Sequence, residues 1–524
     1  MRSTVCAASL LLILLLMPTA VPAGVYGGTI KSVSPGTQRI VVEFRSGKTK
    51  TFQLRSGSSV KVGSKAAGLD QLKPGMRVTV VTTSGDTIDR ITARAASPSR
   101  PKPRPRSTPK EDSPRPKSGT GATVSRRNDN AAAPGEWPQF RGADRSNRSL
   151  ETGLLTSWPD NGPPIAWQTK GIGEAYSSVS VAGGLLYTMG NVGGEERVFA
   201  LDADSGREAW SIRSGPAYTD GTGNGPRGTP TIADGRVFAL GGNGQLTCAD
   251  ARSGRVHWQK NILQEFGGSN ITWGISESVL VDGDRVICTP GGRGATVVAL
   301  KVSDGSPVWR TAVPGNPKAG YASPIAIEPG GLRQYVIFTS QSVIGVRASD
   351  GEGLWGDDSS SNGTANCATP LYVDGHVFSA SEYGTGGSLL QLSTRGNSTS
   401  MRRVYHTDDM KNHHGGMVEV DGFLYGSNGA VLTCLELRSG RTAWRDRSVG
   451  KGSVVYADGH IYLRSENGPV ALFEATSAGY REKGQFSPTG RSGKPAWSHP
   501  VIAGGRLYLR DMDNLVAFDL RASR

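Results

Sequence analysis

The last three quarters of the chain repeat one hydrophobic pattern: a short apolar strand, a tight turn ending in glycine, and a second strand that alternates apolar and polar residues. Residues 236–240 and 506–510 show the period of two that is typical of half-buried strands. No helical period stands out in the repeats. The turn glycine occurs eight times, at Gly184, Gly235, Gly283, Gly331, Gly375, Gly422, Gly459 and Gly505.

An aromatic residue recurs in step with these glycines, in an apolar strand followed by Ser/Asp-Gly-x-x-x-Trp. Such a tryptophan buries a large apolar area between sheets while its N–H reaches a carbonyl. The glycine before it supplies the positive φ of a tight turn. Counting two copies in which another aromatic residue stands in for tryptophan, the eight anchors are Trp167, Trp210, Trp258, Trp309, Trp355, Tyr405, Trp444 and Phe486.

The spacing between successive turn glycines is enough for one four-stranded sheet, so the repeats predict an all-β fold, an eight-bladed β-propeller. The first repeat strand, which carries Trp167, stands alone, and no aromatic anchor follows the last strand at Leu520. We therefore expect the first strand to complete the last sheet. The ring then has no free edge.

Composition divides the chain into four segments. Residues 1–23 resemble a secretory signal peptide cleaved after Ala23, so we expect an exported protein in the periplasm or outside the cell. Residues 24–95 predict a small β-barrel of roughly five strands, OB-like or SH3-like. Residues 96–135, rich in Pro, Arg and Ser, predict a disordered linker. Residues 136–524 form the propeller, and we expect a monomer with no transmembrane segment after cleavage.

The formal net charge of +14 is unevenly distributed. Residues 24–95 carry +8 and residues 96–130 carry +6, whereas residues 131–524 carry −1. In an exported protein, a basic small domain and linker favour an anionic wall polymer or lipid surface as the partner. We expect no specific nucleic-acid binding, because the small domain has few aromatic residues on which bases could stack.

Four cysteines follow the apolar first segment: Cys248, Cys288, Cys367 and Cys434. None has the C-x-x-C spacing of a zinc site, and none has an adjacent partner. We therefore expect buried free thiols, with no disulfide and no thiolate-bound metal.

Counting back from the turn glycines to the start of each innermost strand defines a channel mouth, where propellers bind ligands. We take from each blade the residue six positions before the turn glycine, allowing for a longer turn in the fourth blade. Six of these eight residues are small, so Glu277 and His499 stand out. The adjacent His413 and His414 precede two glycines, and in a strand only one of them would easily face the channel. The candidate ligand residues are Tyr176, Arg227, Glu277, Tyr321, Asn366, His413, His414, Lys451, Trp497 and His499.

This ring suits an anion or sugar site, or the polar opening of a water-filled channel. Glu277 has two interpretations: it could hold calcium together with Asn366, or form a structural ion pair with Arg227 of the preceding blade. At His413 and His414, a metal would need a further ligand such as His499, Glu277 or Asp409. The alternative is a pair of hydrogen-bonded loop histidines.

Five segments from Trp137 onward carry a resemblance to a known family: residues 137–142, 320–323, 362–366, 412–416 and 491–497. Through them the chain resembles the pyrroloquinoline-quinone-type (PQQ-like) repeat propellers, within the WD40/YVTN-like superfamily, and in particular the exported forms abundant in planctomycete-like bacteria. It is more distantly similar to BamB-type outer-membrane assembly propellers and to quinoprotein dehydrogenases.

For the dehydrogenases, the resemblance implies PQQ stacked between a tryptophan and an adjacent-cysteine disulfide, calcium held by Glu and Asn, and an Asp base. On this chain Glu277 and Asn366 would hold calcium and Trp273 or Trp497 would form the stacking wall, but no two cysteines are adjacent. We therefore expect a non-catalytic, exported scaffold whose ring face binds an envelope protein or polymer. The alternatives are a PQQ- and Ca²⁺-dependent oxidoreductase of the alcohol dehydrogenase type and a carbohydrate-binding propeller.

Overall fold

A computed structural model describes residues 24–43, 49–62, 65–84, 87–94 and 135–522. The predicted signal peptide and almost all of the predicted linker lie outside these residues. The described residues fall into two compact units, divided between residues 122 and 123. Their single α-helix, Ile262–Phe266, has five residues, and no described helix has the length and hydrophobicity needed to span a bilayer.

The first unit is a small barrel, as predicted. Five of its strands close in the order β1-β2-β3-β6-β5, and β5 pairs back to β1. The β3–β6 pair is parallel, which favours the OB-like alternative. Two 3₁₀ turns, Pro35–Thr37 and Leu69–Gln71, connect strands. The strands are β1 (Gly24–Ser34), β2 (Arg39–Glu43), β3 (Thr49–Val62), β4 (Lys65–Ala66), β5 (Arg77–Ser84) and β6 (Thr87–Arg94).

The second unit contains eight four-stranded antiparallel sheets, which confirms the predicted eight-bladed propeller. It starts with the isolated strand β7 (Ile165–Thr169). Blade 1 comprises β8 (Ser180–Ala182), β9 (Leu185–Val192), β10 (Glu195–Asp202) and β11 (Glu208–Pro216); blade 2 comprises β12 (Thr231–Ala233), β13 (Arg236–Leu240), β14 (Gln245–Asp250) and β15 (Val256–Asn261); blade 3 comprises β16 (Leu280–Asp282), β17 (Arg285–Cys288), β18 (Val297–Lys301) and β19 (Pro307–Thr311); blade 4 comprises β20 (Ile325–Ile327), β21 (Gln334–Phe338), β22 (Val343–Arg347) and β23 (Gly353–Asp357).

The second half of the ring follows the same plan. Blade 4 alone turns through a 3₁₀ segment, Pro329–Gly331, after its first strand. Blade 5 comprises β24 (Leu371–Val373), β25 (His376–Ser381), β26 (Gly386–Arg395) and β27 (Ser398–Thr407); blade 6 comprises β28 (Met417–Val420), β29 (Phe423–Asn428), β30 (Val431–Glu436) and β31 (Thr442–Asp446); blade 7 comprises β32 (Gly452–Ala457), β33 (His460–Ser465), β34 (Val470–Glu474) and β35 (Glu482–Phe486); blade 8 comprises β36 (Val501–Ala503), β37 (Arg506–Asp511), β38 (Asn514–Asp519) and β7.

The ring closes as predicted, because the first strand of the propeller completes the last sheet. β7 pairs antiparallel with β38, and Trp167 lies opposite Ala517. This pairing fills the open edge of blade 8 with hydrogen bonds and removes an exposed strand edge.

The aromatic anchors connect neighbouring blades by hydrogen bonds as well as by packing. Six of the eight donate to a backbone carbonyl of the next blade, as expected. Trp355 donates instead to the Gln334 side chain of its own blade, at 3.0 Å, and Phe486 packs edge-on against Phe518 of blade 8. The six bonds run from Trp167 to Ala203, Trp210 to Ala251, Trp258 to Val302, Trp309 to Ala348, Tyr405 to Leu437, and Trp444 to Thr476.

The segment 137–149, which we call the axial plug, lies against the innermost strands of all eight blades. Its Arg145 is almost fully buried and donates to carbonyls of Ser278 and Val279, at the start of blade 3, and of Pro324, at the start of blade 4. The remaining plug contacts run from Trp137 to Val181, Pro138 to Ile232, Arg141 to Thr369 and Met417, Asn147 to Val454, and Ser149 to Ile502. One short segment thus joins the ring from within.

We expect Gly254→Ala to lower the free energy of unfolding by about 1–3 kcal/mol more than Gly235→Ala does. Both glycines have a left-handed φ, +72° and +69°, so both variants carry similar backbone strain. A Cβ at residue 254 would lie 2.8 Å from the Trp210 ring, whereas nothing lies within 4 Å of one at residue 235. Urea unfolding measures the difference, and equal losses would show that the ring contact does not matter.

We expect Arg145→Met to destabilise the propeller by about 3 kcal/mol or more, because it leaves buried carbonyls without their donor. Arg148→Met is the matched control within the axial plug. The Arg148 side chain is 38% exposed and donates one 3.2 Å bond to the Glu419 carbonyl, so its loss should cost under about 1 kcal/mol. Similar urea midpoints for the two variants would contradict a central role for Arg145.

Candidate functional site

A cavity of about 290 Å³ lies where the innermost strands begin, and we call it the axial pocket. Its lining comes from the axial plug and from several blades. Phe140 of the axial plug lies in its wall and contacts His499 edge-on, with ring centroids 4.9 Å apart. Seven of the ten predicted ligand residues line it: Tyr176, Arg227, Tyr321, His413, His414, Trp497 and His499.

Aromatic rings dominate the axial pocket. Trp497 lies between two of them, with ring centroids 4.8 Å from Tyr176 and 4.4 Å from His414, the latter pair stacked at 30°. Trp273 and Tyr321 form a second pair with centroids 5.7 Å apart. Offset contacts of this kind fix ring orientations before any ligand arrives.

The predicted small residues form a hydrogen-bonded belt around the axis. The Ser178 N–H donates to Thr229 Oγ1 at 3.2 Å, and the Thr229 N–H donates to Ser278 Oγ at 2.8 Å. The pattern continues from Ser278 to Ser323 at 2.9 Å and from Ser323 to Thr369 at 3.1 Å. A side chain of this size both fits near the axis and links one blade to the next.

Glu277 is not part of this belt, because the turn of blade 3 differs from that of blade 2. In blade 2 the glycine is the second turn residue, but in blade 3 Gly283 comes first and Asp284 second. Counting six residues back from Gly283 is therefore one residue out of register, and Ser278 takes the axial position. Since side chains alternate along an extended segment, Glu277 points away from the axial pocket.

The surroundings of Glu277 contradict the predicted ion pair with Arg227. Glu277 is buried, its Oε1 accepts the Thr289 N–H at 2.6 Å, and the nearby charge is Arg145 of the axial plug. Burial raises the pKa of Glu277 to about 7. Arg227 pairs instead with Asp220 and lies over the Tyr218 ring, 4.4 Å from its centroid.

Asn366 and Lys451, the other two predicted residues outside the axial pocket, also have structural partners. Asn366 is buried; its Oδ1 accepts the Asn362 N–H at 2.9 Å and its Nδ2 donates to the Thr339 carbonyl at 2.9 Å. Lys451 forms ion pairs with Glu382 at 2.8 Å and Glu466 at 3.3 Å. A calcium site built from Glu277 and Asn366 would have to break these internal hydrogen bonds.

Both adjacent histidines line the axial pocket, in contrast to the expectation that only one would face the channel. His413 and His414 lie in the loop before β28, so the alternation of a strand does not apply. Their ring centroids are 3.5 Å apart. Gly415 lets this loop approach blade 7 closely, because a Cβ there would lie 1.8 Å from the Gly452 carbonyl oxygen.

Charged groups surround this histidine pair. His413 Nδ1 lies 2.8 Å from Glu382 Oε2, and His414 Nδ1 lies 3.4 Å from Glu466 Oε1. Burial alone would raise the pKa of Glu382, but hydrogen bonds from His413 and Lys451 outweigh it and hold the pKa at about 2. Burial lowers the pKa of His414 to about 4.

His499 lies at the position near the axis where most blades have a serine or a threonine. Its Nε2 lies 2.8 Å from the His414 carbonyl oxygen, and burial lowers its pKa to about 4. Gly416 of blade 6 provides the space: a Cβ there would lie 3.3 Å from the His499 ring and 3.2 Å from the Arg141 guanidinium.

Sequence reasoning missed several residues of the axial pocket and its surroundings. Phe140 and Tyr383 line it directly, while Glu382 and Glu466 lie behind the two histidines. No turn glycine indicates Phe140, because the axial plug precedes the repeats. Glu382 and Glu466 each follow the second strand of a blade, and counting forward from the turn as well as backward would have marked them.

All four cysteines in the described residues are free, as expected. Cys248, Cys288 and Cys434 are fully buried in blade cores. Cys367 differs because it is only partly buried and lines the axial pocket. Burial raises its pKa to about 12.

Sequence comparison relates this chain to outer-membrane assembly factors. The family described as "Outer membrane protein assembly factor BamB" matches residues 194–446. BamB of Salmonella typhimurium is 32% identical over 123 residues, which are 22% of this chain and 28% of that protein. BamB of Nitrosomonas eutropha is 28% identical over 146 residues, 27% of this chain and 34% of that protein. The chain thus matches only about a third of these relatives' own length.

Structural comparison supports the propeller fold. Quinohemoprotein alcohol dehydrogenase ADHIIG from Pseudomonas putida HK5 has a TM-score of 0.52 at 14% identity, over 75% of this chain and 81% of that one. A europium-containing methanol dehydrogenase has a TM-score of 0.52 at 14% identity, over 72% and 89%. At this identity the likeness concerns the fold alone.

We expect Glu277→Gln to remove part of the pH dependence of stability. The pKa of Glu277 is about 7 in the folded protein and near 4.5 in the unfolded chain. Its contribution is therefore fully present below about pH 4.5 and is lost as the pH rises through about 7. Urea unfolding at about pH 5 and about pH 8.5 should show wild type losing on the order of 2 kcal/mol more than Glu277→Gln. Equal losses would mean that Glu277 is ionised throughout.

Proposed function

Because the chain belongs to the PQQ-like repeat β-propellers, we propose that it is a non-catalytic binding scaffold at the cell envelope. In this proposal the axial pocket receives an aromatic side chain of a partner protein. The proposal has two parts, the pocket as a binding site and the envelope as its location. They rest on different observations.

The observation that carries the first part is the composition of the pocket lining. It presents aromatic rings and hydroxyls, and no Asp or Glu is among its lining residues in the described part of the chain. The Asp base that the resemblance implies for a quinoprotein dehydrogenase, and the carboxylate pair of most glycosidases, would each need a carboxylate that faces the substrate. Stacking of a bound ring needs aromatic faces already held in place, and Trp497 and Tyr176 supply them.

The size of the axial pocket also favours a single ring. Its volume of about 290 Å³ is at the lower end of the ~300–1,000 Å³ that small-molecule sites span. Two of its polar side chains are already engaged: Tyr176 OH donates to the Thr222 carbonyl at 2.9 Å, and Arg227 donates to Asp220 and to the Gly223 carbonyl. A sugar would need several free hydrogen-bonding groups, so the carbohydrate alternative is less well supported.

Two buried nitrogen atoms of the lining, Nε1 of Trp497 and Nδ1 of His499, have no hydrogen-bond partner in the described part of the chain. The Trp497 atom is an indole N–H, which is a donor. A bound ring that carries an acceptor, such as a tyrosine hydroxyl, would satisfy it. The pocket therefore favours a ring with one polar atom.

The quinoprotein alternative fits these residues poorly. Its implied calcium ligands, Glu277 and Asn366, do not line the axial pocket and hold internal hydrogen bonds. No described cysteine forms a disulfide. We therefore derive no step through PQQ or calcium.

The envelope location has independent support. The first 23 residues carry the charge and hydrophobicity of an export signal, and the relatives are named as outer-membrane assembly factors. The basic residues 24–130 would then hold the propeller near an anionic surface. A protein in this place has envelope proteins as its nearest partners.

The test is photocrosslinking in the cells that make the protein. Tyr383 lines the axial pocket and is 48% exposed, so p-benzoylphenylalanine at this position should crosslink to an envelope protein through a segment that contains an aromatic residue. Adding Trp497→Ala should lower the yield about tenfold, since one stacked ring contributes about 1.5 kcal/mol.

The control places the same photocrosslinker at Val256, which is 42% exposed on the outer strand of blade 2. Equal crosslinking from residues 383 and 256, or a yield that Trp497→Ala leaves unchanged, would contradict the proposed pocket. Dye-linked alcohol oxidation after addition of PQQ and Ca²⁺ would contradict a non-catalytic role.

A further inference from the structure

Three potential metal ligands meet in one wall of the axial pocket. Cys367 Sγ and a ring nitrogen from each of His413 and His414 all lie within 4.8 Å of one another. Cys367 lies just before the first strand of blade 5, and the histidines lie just before that of blade 6. Two neighbouring blades therefore contribute one soft sulfur and two imidazoles to one point.

Each imidazole has a carboxylate behind it. Glu382 lies 2.8 Å from His413 Nδ1, and Glu466 lies 3.4 Å from His414 Nδ1. Metal-binding histidines almost always donate one ring N–H to such an acceptor, which orients the ring and makes the other nitrogen a better ligand. Because Nδ1 of each ring faces a carboxylate, Nε2 is the nitrogen that would bind a metal, and at His413 the metal would replace the contact with the Tyr383 hydroxyl.

Lys451 and Tyr383 influence the proton positions on His413. Lys451 Nζ lies 2.7 Å from His413 Nδ1, and the Tyr383 hydroxyl lies 3.1 Å from Nε2. A metal would select the tautomer in which Nδ1–H donates to Glu382. Lys451 would then donate to Glu382 and Glu466, with which it already forms ion pairs.

The charges around the cluster favour a divalent cation. The carboxylates of Glu382 and Glu466 and the ammonium of Lys451 leave one excess negative charge while the Cys367 thiol stays protonated. A divalent ion that binds the thiolate releases the thiol proton to solvent and brings the cluster to neutrality. A monovalent ion would leave one uncompensated negative charge in the cluster.

We propose that Cys367, His413 and His414 bind one Zn²⁺ ion, with a fourth position open to the axial pocket. One thiolate and two imidazoles suit zinc, and three protein ligands with an open fourth position are typical of a site that binds a further ligand. Zinc–ligand bonds of ~2.0–2.3 Å place tetrahedral ligand atoms roughly 3.5 Å apart. The side chains of Cys367, His413 and His414 would have to rotate to bring their ligand atoms from within 4.8 Å to this spacing.

The zinc site does not depend on the proposed function, because it needs no partner protein. A bound zinc ion would, however, change which ligands the axial pocket can bind. A ligand that enters the pocket could coordinate the ion as well as stack on Trp497. An imidazole or carboxylate on the bound segment would suit this fourth position.

The test is metal titration of the purified chain, residues 24–524. After dialysis against Zn²⁺ and removal of free ion, elemental analysis should find one zinc per chain. Titration with Co²⁺ should give a thiolate-to-cobalt charge-transfer band in the near ultraviolet, together with the visible bands of a tetrahedral ion. Cys367→Ser should abolish the charge-transfer band.

Two further variants separate binding from folding. Cys248→Ser changes a fully buried thiol of blade 2 that does not line the axial pocket, so it should keep the cobalt band. Glu466→Gln keeps all three ligands but removes the carboxylate behind His414, and it should weaken Zn²⁺ affinity about 10–100-fold. Near-ultraviolet circular dichroism checks that each variant is folded.

Three results would overturn the proposal: less than one zinc per chain in folded wild type, a cobalt band unchanged by Cys367→Ser, or a Zn²⁺ affinity unchanged by Glu466→Gln. None of these outcomes bears on photocrosslinking at Tyr383, so the two proposals can fail separately.

Discussion

The hydrogen bonds between the axial plug and the innermost strands are the interaction on which the rest of the propeller depends. The innermost strands of most blades are only three or four residues long, and those of neighbouring blades do not pair with one another. Their first carbonyls therefore converge on the axis without donors. Arg141 and Arg145 supply donors there, and both guanidiniums are almost fully buried. Burying two cations is costly, so the carbonyls they bind must compensate in full.

The same segment also forms part of the wall of the axial pocket. Phe140 lies in the pocket wall against His499, within the segment that Arg141 and Arg145 hold in place. Because Tyr176 and Arg227 form hydrogen bonds within the protein, the lining offers a ligand mostly aromatic faces. The site therefore combines one wall residue from outside the repeats, Phe140, with aromatic faces and hydroxyls from the blades.

Much of the fold could be predicted because each repeat carries its own local requirements. Each Gly-x-x-x-Trp motif combines a glycine turn, which needs a positive φ, with an aromatic anchor that packs against the next blade. The count of these anchors predicted that the first strand completes the last sheet, and there Trp167 lies opposite Ala517. The candidate site was less predictable. Six of the seven pocket residues were found by register and His413 by the adjacent-histidine motif, but Glu277 was misplaced because Gly283 is the first residue of its turn rather than the second. Glu382 and Glu466 lie outside the counted positions, and only the folded ring brings them behind His413 and His414.

Blade 8 combines the first strand of the propeller with its last three strands, and this constrains how the chain folds during synthesis. Strand β7 has to wait for β38, which follows about 350 residues later in the chain. At ~5–20 residues per second, synthesis of that interval takes roughly 20–70 s. Throughout this time the edge of β7 that pairs with β38 has no native partner, although Trp167 can already donate to the Ala203 carbonyl of blade 1. A chain that crosses a membrane before folding would avoid this delay, because both strands would reach the far side before the ring closes.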